Sequence, residues 1–227
     1  MVRFWIDDIA YKVVERESVL RRNLDILRVE AGIGASGIPH IGSVGDAIRA
    51  YGVKLGLEDL GCRSELIMYC DDRDGLRKVP AGMPSWLRNH LGKPVTDIPD
   101  PFKCHNSYGE HIASLLIDAL DKLGVEYRFI SGTEAYKSGL LDEQIQKILV
   151  NHHKVMKIVR EMVGSSKPLD WIPYWPVCEN CGRIYTTHAY KLLPEEGKVL
   201  YKCEWSFKNV EGCGYEGEAK YLSLIHI

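Results

Sequence analysis

The spacing of apolar residues along the chain predicts an alternation of helices and strands. Apolar positions recur at helical intervals over residues 4–22 and again over about 41–60, whereas the compact apolar runs 24–31 and 65–70 are typical of buried strands. A strand, a loop, a helix and a second strand in this order favour a parallel sheet covered by helices. The predicted fold class is therefore α/β, and the ligands of such sheets bind at the carboxyl ends of the strands.

Beyond this unit, the pattern is less regular and the composition marks a boundary. Residues 79–105 are rich in proline and predicted to be irregular; the pattern then predicts a helix over 107–123, a strand over 125–131 and one long helix over 141–163. Proline and tryptophan become frequent around 167–176. We predict three parts: a nucleotide-binding domain over 1–165 with a connective segment from about 98, a cysteine module over 166–221, and a truncated or artefactual tail over 222–227.

Composition limits the function classes further. The 227 residues are 45% apolar, which is enough for a core, and 29 basic against 31 acidic side chains give a net charge of −2. With no general basic field, we expect any contact with nucleic acid to be local. No apolar run is long enough to span a bilayer, and Asp7 and Asp8 come too early for a signal peptide. We predict a cytoplasmic protein without a membrane partner.

A glycine-rich turn joins the first predicted strand to the next helix. Its sequence from Gly32 to Ser43 is Gly-Ile-Gly-Ala-Ser-Gly-Ile-Pro-His-Ile-Gly-Ser. Glycines let the backbone approach a ligand, and a helix beginning near His40 favours phosphate at its N-terminus. A histidine there can donate a hydrogen bond to an α-phosphate oxygen, which is worth roughly 3–4 kcal/mol by analogy with single oxyanion donors. Gly42 would leave room for adenine; the alternative is an ordinary surface histidine.

The seven cysteines fall into two groups. Cys62 and Cys70 lie in or beside apolar segments and are interpreted as small buried hydrophobic residues. An odd count and the predicted compartment argue against a disulfide framework. The module contains a Cys-x-x-Cys pair and two later cysteines among glycines, the form of a structural zinc ribbon, with redox-active or unliganded cysteines as the alternative. These candidate ligands are Cys178, Cys181, Cys203 and Cys213.

A second group of metal-binding residue types occurs in the proline-rich segment. It consists of Asp100, Cys104, His105 and His111. Spacing alone is weak here, because a capping aspartate, a buried cysteine and surface histidines would give the same pattern. Arg73, Arg77 and Lys78 form a local cationic cluster, for which a solvated loop is the alternative.

Four blocks together resemble the class I lysyl-tRNA synthetases of archaea and some bacteria. The glycine-rich turn resembles the signature shared by class I aminoacyl-tRNA synthetases, and the block Cys-Asp-Asp-Arg-Asp-Gly-Leu-Arg-Lys-Val-Pro at 70–80 is the most specific match. The other two blocks are 91–94 and 98–108. The resemblance runs from about Val29 to Glu216.

The resemblance implies a Rossmann-like catalytic domain of the class I (HUP) type with an inserted zinc ribbon. It implies that lysine attacks the α-phosphate of ATP to give lysyl-adenylate and pyrophosphate, and that the lysyl group then passes to tRNA(Lys). Mg²⁺ would accompany ATP, and one or two structural Zn²⁺ ions are expected. His40 would be the catalytic residue. The implied ATP-binding residues are Ser36, Gly37, His40, Gly42 and Ser43, and the implied amino-acid-binding residues are Gly32, Gly34, Ser36 and Asp72.

The family also carries a zinc site in the block that contains Asp100 and His111, which favours metal binding by that group. The Lys-Met-Ser-Lys-Ser type of loop and the anticodon-binding region of the family do not occur in these 227 residues. We therefore expect an N-terminal fragment of a lysine–tRNA ligase, weak or inactive alone, with a monomer favoured. The alternatives are another class I synthetase or nucleotidyltransferase, and a non-catalytic RNA-binding paralogue that uses the cysteine module as a contact surface.

Overall fold

A computed structural model describes residues 4–221, and the predicted tail 222–227 lies outside the described residues. The architecture is mixed α/β, with a parallel sheet in the first part of the chain and an antiparallel sheet in the last. The helices are α1 Trp5–Val19, α2 Ile41–Asp59, α3 Tyr108–Lys122, α4 Gly132–Lys137, α5 Asp142–Val150 and α6 His152–Val163. The strands are β1 Leu27–Ile33, β2 Ser64–Cys70, β3 Arg128–Ser131, β4 Thr187–Leu193, β5 Lys198–Cys203 and β6 Glu216–Lys220.

The first sheet is parallel, as the strand–helix–strand pattern predicted. Its order is β1-β2-β3, and its register places Ile33 beside Cys70 and Cys70 beside Ser131. The three strands consequently end at one edge. The glycine-rich turn, the Asp71–Asp72 pair and the start of α4 all follow these ends, so residues far apart in sequence meet there.

The core of this unit forms where helices α2 and α3 cover the sheet. Along α3 the buried side chains Ile112, Leu116 and Leu120 recur every four residues, so one face of the helix packs inward. Burying each such side chain contributes about 1.5–3 kcal/mol. This apolar packing holds α3 against the sheet.

Residues 141–163 were predicted to form one helix, and this prediction is wrong. The chain forms α5 and α6, which meet at Asn151. The Asn151 side chain donates to the Lys147 carbonyl at 2.8 Å and so replaces the backbone bond that a continuing helix would make. The short helix α4 was also not predicted, because its six residues are too few to show helical periodicity.

The last part of the chain folds as an antiparallel sheet, β4-β5-β6. It packs on α5, whose Ile145 and Leu149 share one buried cluster with Tyr174 and Val199. It also contacts the proline-rich segment, because the backbone N–H of Ile184 donates to the Gly92 carbonyl at 2.8 Å. Within residues 4–221, no helix is both long and apolar enough to cross a membrane.

Candidate active site and metal centres

The imidazole of His40 caps helix α2 at the carboxyl edge of the parallel sheet. Its Nδ1 accepts the backbone N–H of Gly42 at 3.0 Å, while Ser43 Oγ accepts the N–H of His40 itself at 3.4 Å. A ring nitrogen that accepts a backbone N–H carries no proton, so the proton of a neutral imidazole lies on Nε2. The exposed ring therefore presents a hydrogen-bond donor beside the amides of a helix N-terminus, which is an arrangement that suits an anion.

Gly42 has a structural role that the sequence did not reveal. A Cβ placed on Gly42 would lie 2.8 Å from Cε1 and 2.9 Å from Nδ1 of His40. Because real Cβ atoms do not approach so closely, any side chain at position 42 would displace the imidazole from its cap. The predicted contact of Gly42 with adenine stays a prediction.

The other glycines of the turn border open space. A Cβ on Gly32, Gly34 or Gly37 would meet no heavy atom within 4 Å. The turn is held from below by the buried Tyr108, whose hydroxyl donates to the Ser36 carbonyl at 3.3 Å. The turn is thus supported on its inner side and accessible on its outer side, where a ligand could reach its backbone.

The two aspartates that follow β2 differ in their surroundings. Asp72 is buried, and its carboxylate accepts Ser131 Oγ at 2.5 Å and the Thr133 N–H at 2.7 Å. Both oxygens of Asp72 therefore bind the start of α4. Asp71 is exposed and faces a depression. Burial and the nearby carboxylates of Asp74, Glu30 and Asp72 raise the pKa of Asp71.

This depression lies between the sheet edge and the cysteine module and has a volume of about 210 Å³. Its lining combines carboxylates, guanidinium groups and aromatic rings: Tyr69, Asp71, Arg73, Asp74, Arg77, Tyr136, Trp175 and Tyr185 belong to it. Tyr185 bridges the two parts, since its hydroxyl accepts the Gly75 N–H at 3.2 Å and the Arg77 Nε–H at 3.1 Å. Because Arg77 pairs with Asp74 and Arg73 pairs with Asp97, the carboxylate of Asp71 beside the aromatic faces can accept a small organic cation.

The structure brings the Asp/Cys/His/His group together just before α3. Cys104 Sγ lies 3.2 Å from Nδ1 of His105, 3.2 Å from Nδ1 of His111 and 3.3 Å from Oδ2 of Asp100. One zinc ion bound to a sulfur at 2.3 Å and a nitrogen at 2.0–2.1 Å separates those two atoms by about 3.5 Å. The donor set and its spacing fit a tetrahedral zinc ion.

Asp100 is fixed by the backbone of its own turn. Its carboxylate accepts the N–H groups of Phe102, Cys104 and His105 at 2.8–3.0 Å. Burial alone would raise the pKa of Asp100, but these three donors outweigh burial and lower it to about 2. The carboxylate is therefore ionised and held in place, as a metal ligand has to be.

The four module cysteines also converge. Cys178 and Cys213 are 3.6 Å apart at their sulfurs, and Cys181 and Cys203 are 3.7 Å apart. Four sulfurs around one tetrahedral zinc ion would be separated by about 3.8 Å. All four sulfurs lie within 4.8 Å of one another. This spacing and the thiolate donor set fit a structural zinc ion.

Local backbone turns create this convergence. Gly212 passes so close to β5 that a Cβ there would lie 2.4 Å from the carbonyl oxygen of Cys203. Burial raises the pKa of Cys178, so a thiolate at that position needs a nearby cation. The nearby His188 stacks on Trp205 at a ring separation of 4.7 Å. The ligand set remains the four cysteines.

A family model described as "tRNA synthetases class I (K)" matches residues 3–225. The chain belongs to this family. The match covers the glycine-rich turn, both metal-ligand groups and the whole parallel sheet, so the class I assignment applies to nearly the full chain and not to a single motif.

Curated relatives in this family carry one name. The chain is 50% identical over 218 residues to "Lysine--tRNA ligase" of Cenarchaeum symbiosum, covering 95% of this chain and 42% of that protein. It is 36% identical over 216 residues to the protein of the same name from Methanocaldococcus jannaschii, covering 95% of this chain and 38% of that protein. The chain thus spans about two fifths of the length of these relatives.

Sequence reasoning did not identify every residue that lines the candidate site. Trp175 and Tyr185 come from the module and Tyr136 from α4, yet all three line the depression beside Asp71. Their only sequence signal is a cluster of aromatic residues near the module boundary, which gives no indication of what they contact. Asp71 and Asp72 are adjacent in the 70–80 block, and only the hydrogen bonds at the sheet edge distinguish the two.

Proposed function

We propose that the protein containing this chain activates lysine with ATP and transfers the lysyl group to tRNA(Lys). The observation that carries the proposal is the imidazole of His40, which is held at the N-terminus of α2 with its Nε2–H outward. Two further findings support it: the class I (K) family match, and the name lysine–tRNA ligase carried by relatives up to 50% identical.

In the first step a carboxylate oxygen of lysine attacks the α-phosphorus of ATP. The bond from that phosphorus to the oxygen bridging to the β-phosphate breaks, and pyrophosphate leaves with the electron pair. Negative charge builds on the α-phosphate oxygens, where the Nε2–H of His40 and the helix amides donate hydrogen bonds. One such preorganised donor contributes about 3–4 kcal/mol to transition-state stabilisation. Mg²⁺ would accompany ATP as part of the substrate.

In this proposal the amino acid occupies the sheet edge between the turn and the module. Gly32, Gly34 and Ser36 border its backbone, and Ser36, Gly37, Gly42 and Ser43 border ATP. Asp72 supports the pocket from below, because its oxygens already bind Ser131 and Thr133. We assign the side-chain ammonium to Asp71, since a cation there would relieve the repulsion among neighbouring carboxylates that raises the pKa of Asp71.

The proposal includes a Rossmann-like class I catalytic domain over 1–165, with a connective segment from about 98, and a zinc ribbon inserted over 166–221. A left-handed Gly164 that ends α6 supports the boundary near 165. Zinc at the four cysteines would stabilise the fold of the module, and a second zinc would stabilise the turn before α3. Seven free cysteines support a reducing compartment, the cytoplasm. We expect a monomer.

The test is amino-acid-dependent exchange of pyrophosphate into ATP, run on the whole protein with each of the twenty amino acids. Exchange with lysine alone is expected. His40→Asn, which keeps an N-cap side chain, should retain the fold and lower the exchange rate by about 100- to 1,000-fold. Asp71→Asn should raise the KM for lysine by at least about tenfold and leave the KM for ATP unchanged.

Three outcomes would contradict parts of this proposal. Exchange with a different amino acid would remove the lysine assignment and keep the class I reaction. No exchange in a folded, zinc-loaded protein, even with tRNA present, would favour the non-catalytic RNA-binding paralogue. An unchanged rate in His40→Asn would show that the imidazole has no role in the reaction.

A further inference from the structure

A wide basic depression lies on the side of the molecule where the proline-rich segment meets the cysteine module. It has a volume of about 660 Å³, and four cationic side chains line it: Arg77, Lys78, Arg88 and Lys208. The remaining lining residues are neutral, and within the described chain none of them is acidic or aromatic. We call this surface the basic depression.

The charge of the basic depression differs from that of its neighbours. The depression beside Asp71 contains Asp71 and Asp74 together with Arg73 and Arg77, and another near His105 contains Asp72, Glu110 and Glu134 together with Lys137. The chain as a whole carries a net charge of −2. No carboxylate is among the described lining residues of the basic depression, although one of its cations, Arg77, pairs with Asp74 beside it. Lys78, Arg88 and Lys208 therefore form a local concentration of positive charge that the overall composition does not predict.

The cations are brought together from distant segments and are held in place. Phe207 and Val210 exchange backbone hydrogen bonds of 2.8 and 3.0 Å, and the tight turn between them presents Lys208 with a φ of 54°. Lys208 Nζ donates to the carbonyl of Arg77, 131 positions away in sequence. The ring of Phe207 packs on Tyr185 at 4.6 Å. The turn is thus fastened to the segment that carries Arg77 and Lys78.

Arg88 is positioned by a second connection between the same two parts. It lies on the short 3₁₀ helix Ser85–His90. Arg183 of the module donates to the Leu91 carbonyl at 3.1 Å and to the Asn89 carbonyl at 3.4 Å, which holds the end of that helix. Both margins of the basic depression therefore depend on docking of the cysteine module.

We infer that the basic depression binds the sugar–phosphate backbone of RNA. Cations around an open, neutral floor match a chain of phosphates, and the absence of an aromatic ring among its described lining residues points away from a base-stacking or nucleotide pocket. Such contacts position an RNA without reading its sequence. The inference extends the proposed function by giving the tRNA a docking surface outside the adenylation site.

The test uses the whole protein and a tRNA(Lys) transcript, with the dissociation constant measured across a salt series. The variant combines Lys78→Gln, Arg88→Gln and Lys208→Asn; asparagine tolerates the left-handed backbone at 208. Arg77 is kept because it pairs with Asp74 and Tyr185. Each lost phosphate contact lowers the salt slope by about 0.7–0.9, so three should lower it by about 2–3 and weaken binding at least tenfold at 0.1 M salt.

A matched control removes three exposed cations from α6: Lys154→Gln, Lys157→Gln and Arg160→Gln. Both triple variants should keep the thermal unfolding curve and the lysine-dependent exchange rate of the parent. The inference is overturned if the slope of the first variant equals that of the parent, or if the α6 control loses as much affinity. It is also overturned if only the KM for ATP rises, because the surface would then bind free polyphosphate.

The readouts separate this inference from the proposed function. RNA binding is measured without amino acid or ATP. Even if the parent protein does not catalyse pyrophosphate exchange, the first triple variant can therefore still show a smaller salt dependence of RNA binding than the parent. Conversely, normal exchange together with an unchanged salt slope of RNA binding would reject the RNA-binding role of the basic depression. The proposed lysine reaction would be unaffected by that result.

Discussion

The edge of the parallel sheet and the cysteine module both gather polar side chains at one point, but different interactions hold them there. At the sheet edge, polar side chains accept hydrogen bonds from the backbone N–H groups of nearby turns and helix N-termini, as those of His40, Asp72 and Asp100 do. In the module, a small buried cluster consists of Cys178, Tyr201 and Cys203, so two of its three members are candidate metal ligands. The sheet edge rests on a large apolar core, whereas the cysteine end of the module depends on its ligands.

The difference teaches where a metal ion contributes to folding and where it contributes to local order. Structural zinc in isolated zinc-finger peptides binds with about 10–16 kcal/mol, and this binding free energy is folding free energy. The module has little apolar burial of its own near the cysteines, so it should depend on zinc. The turn before α3 has three backbone hydrogen bonds to Asp100 and should keep its form when its ion is absent.

The strongest test of this contrast compares Cys203→Ser with His111→Gln. Each variant should lose one equivalent of bound zinc, measured by atomic emission. Cys203→Ser should also unfold the cysteine end of the module, seen as loss of amide-exchange protection around Cys178, Cys203 and Cys213, because the small cluster there is built on the ligands. His111→Gln should leave that protection unchanged. Full protection of the module in zinc-free Cys203→Ser would contradict the contrast.

A smaller effect is expected when a hydrogen-bonded carboxylate is removed from the sheet edge. Asp72→Ala leaves the buried Thr133 N–H without its partner and should lower the free energy of unfolding by about 2–3 kcal/mol. Asp71→Ala is the matched control, since Asp71 is exposed and adjacent, and it should cost less than about 0.5 kcal/mol. Equal losses in urea titrations would show that the two aspartates are not distinguished by their hydrogen bonds.

Gly42→Ala tests whether the sheet edge positions its histidine by close contact. The added Cβ would displace the His40 imidazole, and we expect the exchange rate to fall by about 10- to 100-fold. Stability should change little, because loss of the cap and the gain in helix propensity are each about 1 kcal/mol. Gly45→Ala, where a Cβ meets open space, should be stabilising and fully active. A fully active Gly42→Ala protein would refute the positioning role.

The smallest expected effect is a pH dependence on the amino side of the parallel sheet. Hydrogen bonds from Arg128, and from Arg28 more weakly, lower the pKa of Glu65 below its ordinary value of 4.5. A lowered folded-state pKa gives stability that is present above about pH 4.5 and is lost as the pH falls through the folded value. Glu65→Gln should therefore be less stable than the parent at pH 6, by under about 1 kcal/mol, and this difference should shrink as the pH falls below 4.5. A constant difference across this range would exclude the ion pairs as its cause.

The sequence by itself determined the elements of the parallel unit and the identity of the ligand groups. Burial patterns with periods of two and 3.6 are local properties, so β1, α2, β2 and α3 could be placed from spacing alone. The Cys-x-x-Cys spacing is also local, and the resemblance to a family supplied the grouping of Asp100 with Cys104, His105 and His111. These features do not depend on which parts of the chain later meet.

Only the tertiary structure decided which of two neighbouring residues supports the site and which faces it. Asp71 and Asp72 are equivalent in sequence, and the start of α4, some 60 positions later, makes one structural and leaves the other accessible. The break between α5 and α6 at Asn151 likewise follows from an atomic contact, as does the steric requirement for glycine at position 42. The basic depression exists because Lys208 docks beside Arg77. Such long-range contacts are set by packing of the whole chain, and the periodicity of apolar residues along the sequence does not predict them.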